Sequence, residues 1–283
     1  MSHTPVTIKD DFGNTYNFKI HTLYKENLDL LKKANKNDID FKILISGNGM
    51  TRNGKTTFGG GTTATYLDKN YPHNWRKQTC FAGDRLIEMG NKLNPGDVLV
   101  YDEARETLNT SNQLSRYCQD LFNFFSQCGS KNLFIIIILP EFFELPKSIT
   151  INQSIYLVNC MFKNGFTRGY ADFFNYRQKK YLYIAGKKWF DYQAVKSSFK
   201  MTFTKFFPIN IGEYEKLKLS ELERCRKEYK KGNTTTAYNK LRKQTKTLIE
   251  YLIKTDDLTK SQVARLLNIT PQSLGQFLKY KSK

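Results

Sequence analysis

The sequence predicts an α/β fold: a mainly parallel central sheet flanked by helices, antiparallel strands appended to it, and a small all-α domain at the C-terminus. Three observations lead there. Between residues 40 and 140, β-rich runs alternate with helix-length amphipathic stretches, the pattern of a parallel sheet covered on both faces. The run 133–139 is apolar at every position, as a central strand buried on both sides must be. From residue 236 onward the chain offers only helical patterning.

Taken in order, residues 5–20 read as a hairpin, with Val6-Thr7-Ile8 and Tyr16-Asn17-Phe18 alternating around the turn signal Asp11-Phe12-Gly13-Asn14. A short helix over 23–33 follows, with Leu28, Leu30 and Leu31 as its apolar face. Residues 41–45 form a strand that runs into a glycine-rich turn, and a helix is expected next. Gly59-Gly60-Gly61 stands in that helix at about 1 kcal/mol per glycine relative to alanine. The helix is therefore expected to be short or irregular, or packed unusually closely on the sheet. Residues 79–81 and 97–101 read as strands, and 84–93 and 113–128 as helices. After Pro146, aromatic-rich runs at 154–162, 169–176 and 180–184 are expected to form antiparallel strands at the sheet's edge. The expected organisation is a first domain over 1–212 (hairpin 5–20, core 40–160, appended strands 154–185), a charged helix and linker over 213–235, and a helical domain over 236–283.

The 283 residues carry a formal net charge of +19, placed unevenly. Residues 1–150 hold 18 Lys/Arg against 16 Asp/Glu, and residues 151–283 hold 27 against 10. A near-neutral first half joined to a very basic second half suggests a catalytic part and a part that meets a polyanion. Five scattered cysteines without a CxxC pair fit reduced thiols better than a disulfide framework or a zinc site. The N-terminus has no apolar signal region, and the longest apolar run is far too short to span a bilayer. The expectation is a soluble protein without a membrane span, in the cytoplasm (the host's, if the gene is viral).

Gly49-Met50-Thr51-Arg52-Asn53-Gly54-Lys55-Thr56 fits the phosphate-loop pattern GxxxxGK[ST] at every fixed position. Glycines at both ends let backbone N–H groups curl around a phosphate without a Cβ in the way. Lys55 can bridge β- and γ-phosphates, the Thr56 hydroxyl can ligate Mg²⁺, and the helix start at Thr57 supplies a positive dipole end. Residues 98–101 then form an apolar strand ending in Asp102-Glu103. In a parallel sheet that end faces the same crevice as the loop. Asp102 is expected to hold Mg²⁺ through water, and Glu103 to align and polarise the attacking water. Together these motifs predict a P-loop nucleoside triphosphatase with ATP and Mg²⁺ as cofactors. Glu141, after strand 133–139, is a candidate sensor of the γ-phosphate, and Arg105, Arg116 and Lys131 are candidate transition-state cations.

Three blocks of residues 40–160 carry a resemblance to the FtsK/HerA group of P-loop ATPases: Ile45-Ser46-Gly47 through Thr56, Val98 through Ala104, and Lys131 through Pro140. That group includes DNA pumps and viral genome-packaging ATPases. Its members usually place an amide after the third strand, where this sequence has Leu139-Pro140-Glu141. The resemblance implies a homo-oligomer, plausibly a ring, that moves DNA.

Residues 258–278 look like a helix-turn-helix. Thr259 is expected to cap a helix whose Val263, Leu266 and Leu267 face inward. Thr270 caps a second, with Pro271 in its first turn and Leu274, Phe277 and Leu278 buried. Gln272, Ser273, Gln276 and Lys279 then face outward, suited to base edges and phosphates. Three functions remain open on these grounds: an ATP-driven DNA motor for packaging, segregation or transfer of a viral or plasmid genome; an ATP-controlled DNA-binding switch; or a P-loop kinase with a basic tail. The adjacent Glu103 counts against the kinase.

Overall fold

The computed structural model describes residues 2–104, 108, 116–164, 166–232, 236–255 and 258–279. The chain divides into two compact units, Met1–Leu222 and Glu223–Lys283. The division falls inside a single helix rather than at residue 212.

In the first unit, β1 (His3–Lys9) and β2 (Thr15–His21) form the expected hairpin. The described residues also form a seven-stranded sheet. In spatial order it contains β4 (Thr79–Cys80), β5 (Val98–Tyr101), β6 (Phe134–Ile138), β3 (Phe41–Ser46), β7 (Tyr156–Lys163), β8 (Thr167–Phe174) and β9 (Phe199–Thr202). The first five are parallel, and β8 and β9 continue antiparallel. β7 is thus shared: it pairs parallel with β3 and forms the expected antiparallel hairpin with β8.

Both faces of the sheet are covered, which is why β5 and β6 are apolar throughout. Alternate residues serve two cores. Ile43, Ile45, Val98, Val100, Ile136 and Ile138 pack on one side with Tyr24, Phe58 and Tyr71. Leu44, Leu99, Tyr101, Ile135 and Ile137 pack on the other with Leu121, Phe125 and Leu182. The covering helices are α1 (Thr22–Asn35), α2 (Ala64–Leu67), α3 (Tyr71–Gln78), α4 (Gly83–Lys92), α5 (Arg116–Gln127) and α6 (Tyr176–Gly186). On α1, Leu28 and Leu31 are buried with Tyr24, but Leu30 is 59% exposed, so the inward face is Tyr24-Leu28-Leu31.

Residues 180–184 are helical, not a strand. Tyr181-Leu182-Tyr183-Ile184 has β-prone composition, but Asn175 and Gln178 form a capping box that starts α6. Its buried positions, Lys179, Leu182, Tyr183 and Gly186, then recur at helical spacing. The buried Lys179 ammonium donates to the Thr150 and Ser154 carbonyls and to Ser154 Oγ.

The helix after the glycine-rich turn is both irregular and closely packed. Thr57–Thr63 winds as a π-helix before α2, and all three glycines are buried. A Cβ on Gly59 would lie 2.7 Å from Ile45 Cδ1 and 2.8 Å from Ile138 Cδ1, and one on Gly61 would lie 2.4 Å from the Phe206 carbonyl oxygen. The glycines let this helix seat between the sheet and the segment that follows β9.

That segment leads into α7 (Ile211–Gly232), whose start Asn210 caps by accepting from Gly212 N and Glu213 N at 3.0 and 3.2 Å. The second unit contains α8 (Thr236–Thr255), α9 (Lys260–Leu266) and α10 (Pro271–Lys279). Ile249, Val263, Ala264 and Leu274 form its small core, flanked by partly buried Phe277 and Leu278. Thr259 caps α9 in a capping box with Gln262, and Thr270 accepts from Ser273 N at 3.1 Å. Leu266 and Leu267 are exposed rather than inward, because Val263 and Ala264 alone take the buried stripe of so short a helix. No helix among the described residues is long and apolar enough to cross a membrane.

Gly61→Ala tests the close packing. Alanine gains about 1 kcal/mol of helix propensity, but a clash with backbone that must shift costs about 1–3 kcal/mol. The variant should melt below wild type in thermal denaturation. A midpoint at or above wild type would contradict the packing.

Candidate functional site

The first functional residues follow β3. Gly47 N and Gly49 N both donate to the Pro140 carbonyl, at 3.1 and 2.8 Å, which ties the loop to the end of β6. The backbone then turns repeatedly through left-handed conformations, with φ +50° at Asn48, +68° at Gly49, +59° at Arg52 and +93° at Gly54. Alternation of this kind points successive N–H groups into one concavity. At Gly54 the need for glycine is twofold: positive φ, and a Phe203 ring that would stand 3.0 Å from any Cβ. Arg52 adopts the same region with a side chain, at about 1–2 kcal/mol, so tertiary structure must hold it there. Asn53 supplies the hold. It is buried, and its amide donates to the Gly47 and Cys160 carbonyls, each at 2.8 Å.

Lys55 folds back over the loop, donating to the Met50 carbonyl at 2.6 Å and to Asn53 Oδ1 at 3.0 Å. Burial draws its ammonium below the ordinary lysine value, and Asp102 and Glu103 are among the groups that oppose the shift. The next residue, Thr56, donates from Oγ1 to Asp102 Oδ2 at 3.0 Å.

Asp102 is 1% exposed at the end of β5. Its Oδ2 also accepts from Tyr214 Oη at 3.1 Å and from Lys218 Nζ at 3.2 Å. Lys218 Nζ lies 2.7 Å from Glu103 Oε1 as well, so one ammonium spans both carboxylates. Burial works against that charge, but Asp102 and Glu103 outweigh it and lift the Lys218 ammonium above its ordinary value. Burial and the Asp102 charge together push the Tyr214 phenol well up, which keeps it a donor. Glu103 itself sits at φ +63°, a strained position for a side-chain-bearing residue.

These groups line one cleft of about 760 Å³, with residues 51–57 on one wall, Asp102 and Glu103 on another, and Arg168, Phe207, Ile211, Lys218 and Leu219 closing it. Thr56 and Asp102 present a hydroxyl and a carboxylate oxygen, the hard donors a divalent cation such as Mg²⁺ takes. The Lys218 ammonium, shared by the two acids, stands in for such a cation. The donor set therefore fits Mg²⁺.

Of the residues singled out in the sequence, Thr51 through Thr57, Asp102 and Glu103 converge here. Gly49 and Met50 shape the loop from behind, Gly49 through its bond to Pro140 and Met50 through its carbonyl. Glu141 follows β6, but its carboxylate is turned beneath the loop and does not line the cleft. Its Oε1 accepts from Tyr192 Oη at 2.7 Å and from Phe143 N at 3.1 Å, and burial raises its pKa above the ordinary carboxylate value. Lys131 precedes β6, at the opposite end of the strand. It donates to the Gly90, Asn91 and Leu93 carbonyls and so satisfies the C-terminus of α4 instead of reaching the site. Arg105 lies outside the described residues, and so do the side chains of Arg116 and Lys279. Gln272, Ser273 and Gln276 are exposed on α10. Tyr214, Lys218 and Arg168 were missed. Lys218 stands 116 residues from Asp102 in sequence, on what reads as a solvated charged helix; its only signal was a Tyr-x₃-Lys pair at one-turn spacing.

A strand, a loop with these left-handed turns, a helix start and an acidic strand end two strands away define the phosphate-loop class of α/β domain. No family model and no curated protein sequence matches the chain. Among solved structures it is similar to the genome packaging NTPase B204 from Sulfolobus turreted icosahedral virus 2 in complex with ATP-gammaS. The TM-score is 0.35 at 11% identity, over 50% of this chain and 94% of that one. It is also similar to ATPases 2 and 3 of EssC from Geobacillus thermodenitrificans, with TM-score 0.26 at 9% identity over 81% of this chain and 49% of that one. Likeness at this level assigns the chain to no family.

Replacing Lys218 tests the stand-in role. Without its ammonium, Asp102 and Glu103 lack their neutralising charge, so Lys218→Met should bind Mn²⁺ more tightly than wild type in the absence of nucleotide, measured by electron paramagnetic resonance. Equal or weaker Mn²⁺ binding would contradict the role.

Proposed function

We propose that this chain binds ATP with Mg²⁺ in the cleft, hydrolyses the β–γ phosphoanhydride, and acts as an oligomeric DNA motor. The observation that carries the hydrolytic part is the meeting of Thr56 and Asp102 at 3.0 Å, with Lys55 and Glu103 in the same cleft. The turned N–H groups of residues 51–57 receive phosphate oxygens, and the start of the π-helix adds its dipole. Lys55, now held by carbonyl oxygens, has its ammonium in the concavity and can exchange those weak acceptors for phosphate. Thr56 and Asp102 would hold Mg²⁺, whose positive charge would offset the charge that grows on the phosphates. Glu103 accepts a hydrogen bond from the attacking water and takes up its proton as the bond to the leaving ADP breaks. Arg168, on the cleft wall, is a cis cation that can meet charge on the γ-phosphate, beside the sequence candidates Arg105 and Arg116.

DNA handling rests on the basic second half, on the exposed Gln272, Ser273 and Gln276 of α10, and on the resemblance of residues 40–160 to the FtsK/HerA group. The compact, capped helix pair α9–α10 favours a second reading, in which ATP controls binding to a DNA site. Turnover measured against duplex length separates the two, since a motor's ATPase rises with length whereas a switch needs only its site.

Lys55→Ala and Glu103→Gln should each lower phosphate release by about a hundredfold or more, while Glu103→Gln still binds a fluorescent ATP analogue. Undiminished turnover in Lys55→Ala would overturn the assignment, as would wild-type protein that shows no affinity for ATP in the presence of magnesium.

A further inference from the structure

The chain has two tryptophans and treats them oppositely: Trp75 is 4% exposed, Trp189 is 75% exposed. Trp189 does not stand alone. Tyr181 and Ile184, both 61% exposed, lie on the outer face of α6, and Phe190 is half exposed beside it. Arg177, Tyr181 and Ile184 recur at intervals of four and three residues, so they share that face. Lys180 is exposed one turn before Ile184. No Asp or Glu occurs from Tyr176 to Phe190.

The turn after α6 is built to present the indole. Trp189 N and Asp191 N both donate to the Gly186 carbonyl at 3.1 Å. A Cβ at Gly186 would lie 2.4 Å from the Asp191 carbonyl oxygen. Phe190 is held at φ +54°, with its ring 5.8 Å from that of Phe143. A bulky residue keeps positive φ only where its surroundings over-determine it. Two residues on, Tyr192 anchors the turn through Glu141 and lies 3.3 Å from Ser46 Oγ, at the root of the phosphate loop. The local structure thus holds a large apolar ring in water with a cation against it; Lys188 Nζ sits 5.0 Å from the indole centre.

Flat π-surfaces among cations, with Asp191 the one carboxylate in the turn, match a polymer of bases and phosphates. A second copy of this chain is a poor match, since its Lys/Arg outnumber Asp/Glu 45 to 26. Duplex keeps its base faces stacked, so stacking on Trp189 requires unpaired bases. We propose that the outer face of α6 and the Trp189 turn form a stacking platform for single-stranded nucleic acid, with Trp189 against a base and Arg177, Lys180 and Lys188 against flanking phosphates. This deepens the DNA-handling reading above, because it names where the first unit meets the polymer.

The test uses the full chain without ATP. Oligo(dT) should quench tryptophan emission in wild type but not in Trp189→Phe, because Trp75 is shielded. Trp189→Ala should weaken oligo(dT) binding about tenfold in fluorescence anisotropy at fixed salt, and Lys180→Glu should weaken it and flatten its salt dependence. ATP hydrolysis without DNA should be unchanged in Trp189→Ala. Loss of hydrolysis in the wild type would thus sink the ATPase reading and leave the quench standing. The platform is overturned by any of these results: no quench with oligo(dT), equal affinity for blunt duplex, quench by phosphatidylserine vesicles but not by oligo(dT), or a dimer in light scattering that Trp189→Ala dissociates.

Discussion

Asp102 is a carboxylate with almost no contact with water, and one of its oxygens takes three donors from distant parts of the chain: Thr56 just before the π-helix, and Tyr214 and Lys218 on α7. A buried carboxylate is costly unless its charge is met. Meeting it dictates much of the architecture. β5 must end here, the loop must bring its threonine within 3.0 Å, and the chain must return from the far edge of the sheet so that α7 can present an ammonium. The glycines of the π-helix permit that return, since the segment after β9 passes over the helix at the distance that their missing side chains leave free.

Much of this was legible in the sequence because it is local. A strand, a glycine-rich turn and a lysine-threonine pair are contiguous, and the physical demand for backbone close to phosphate writes itself into adjacent residues. The acidic pair was legible through the apolar run before it. What escaped depends on tertiary return. Lys218 reads as a solvated helical lysine until the fold brings it to Asp102. Glu141 reads as a sensor at the end of a central strand, and only the structure shows it engaged with Tyr192, a partner 51 residues away. Residues 180–184 were read by composition, which favours a strand, whereas the deciding signal was the Asn175–Gln178 cap upstream and the burial of Lys179, a residue type seldom found inside.

Several irregularities of the fold meet at the cleft. Left-handed residues at Arg52, Gly54 and Glu103 and the π-helix that starts at Thr57 border it, with left-handed Asn48 and Gly49 behind. Regular elements position these features, and the strained ones present N–H groups and carboxylates that regular geometry would spend on secondary structure. The Trp189 turn repeats the theme on the surface, where a constrained backbone holds outward a ring that would otherwise fold inward.

The twisted backbone at Glu103 also sets robustness and chemistry against each other. Glycine would relax it, but would also remove the carboxylate that shares the Lys218 ammonium with Asp102. At residue 103 the backbone's preference for glycine is thus set against the charge that Lys218 meets.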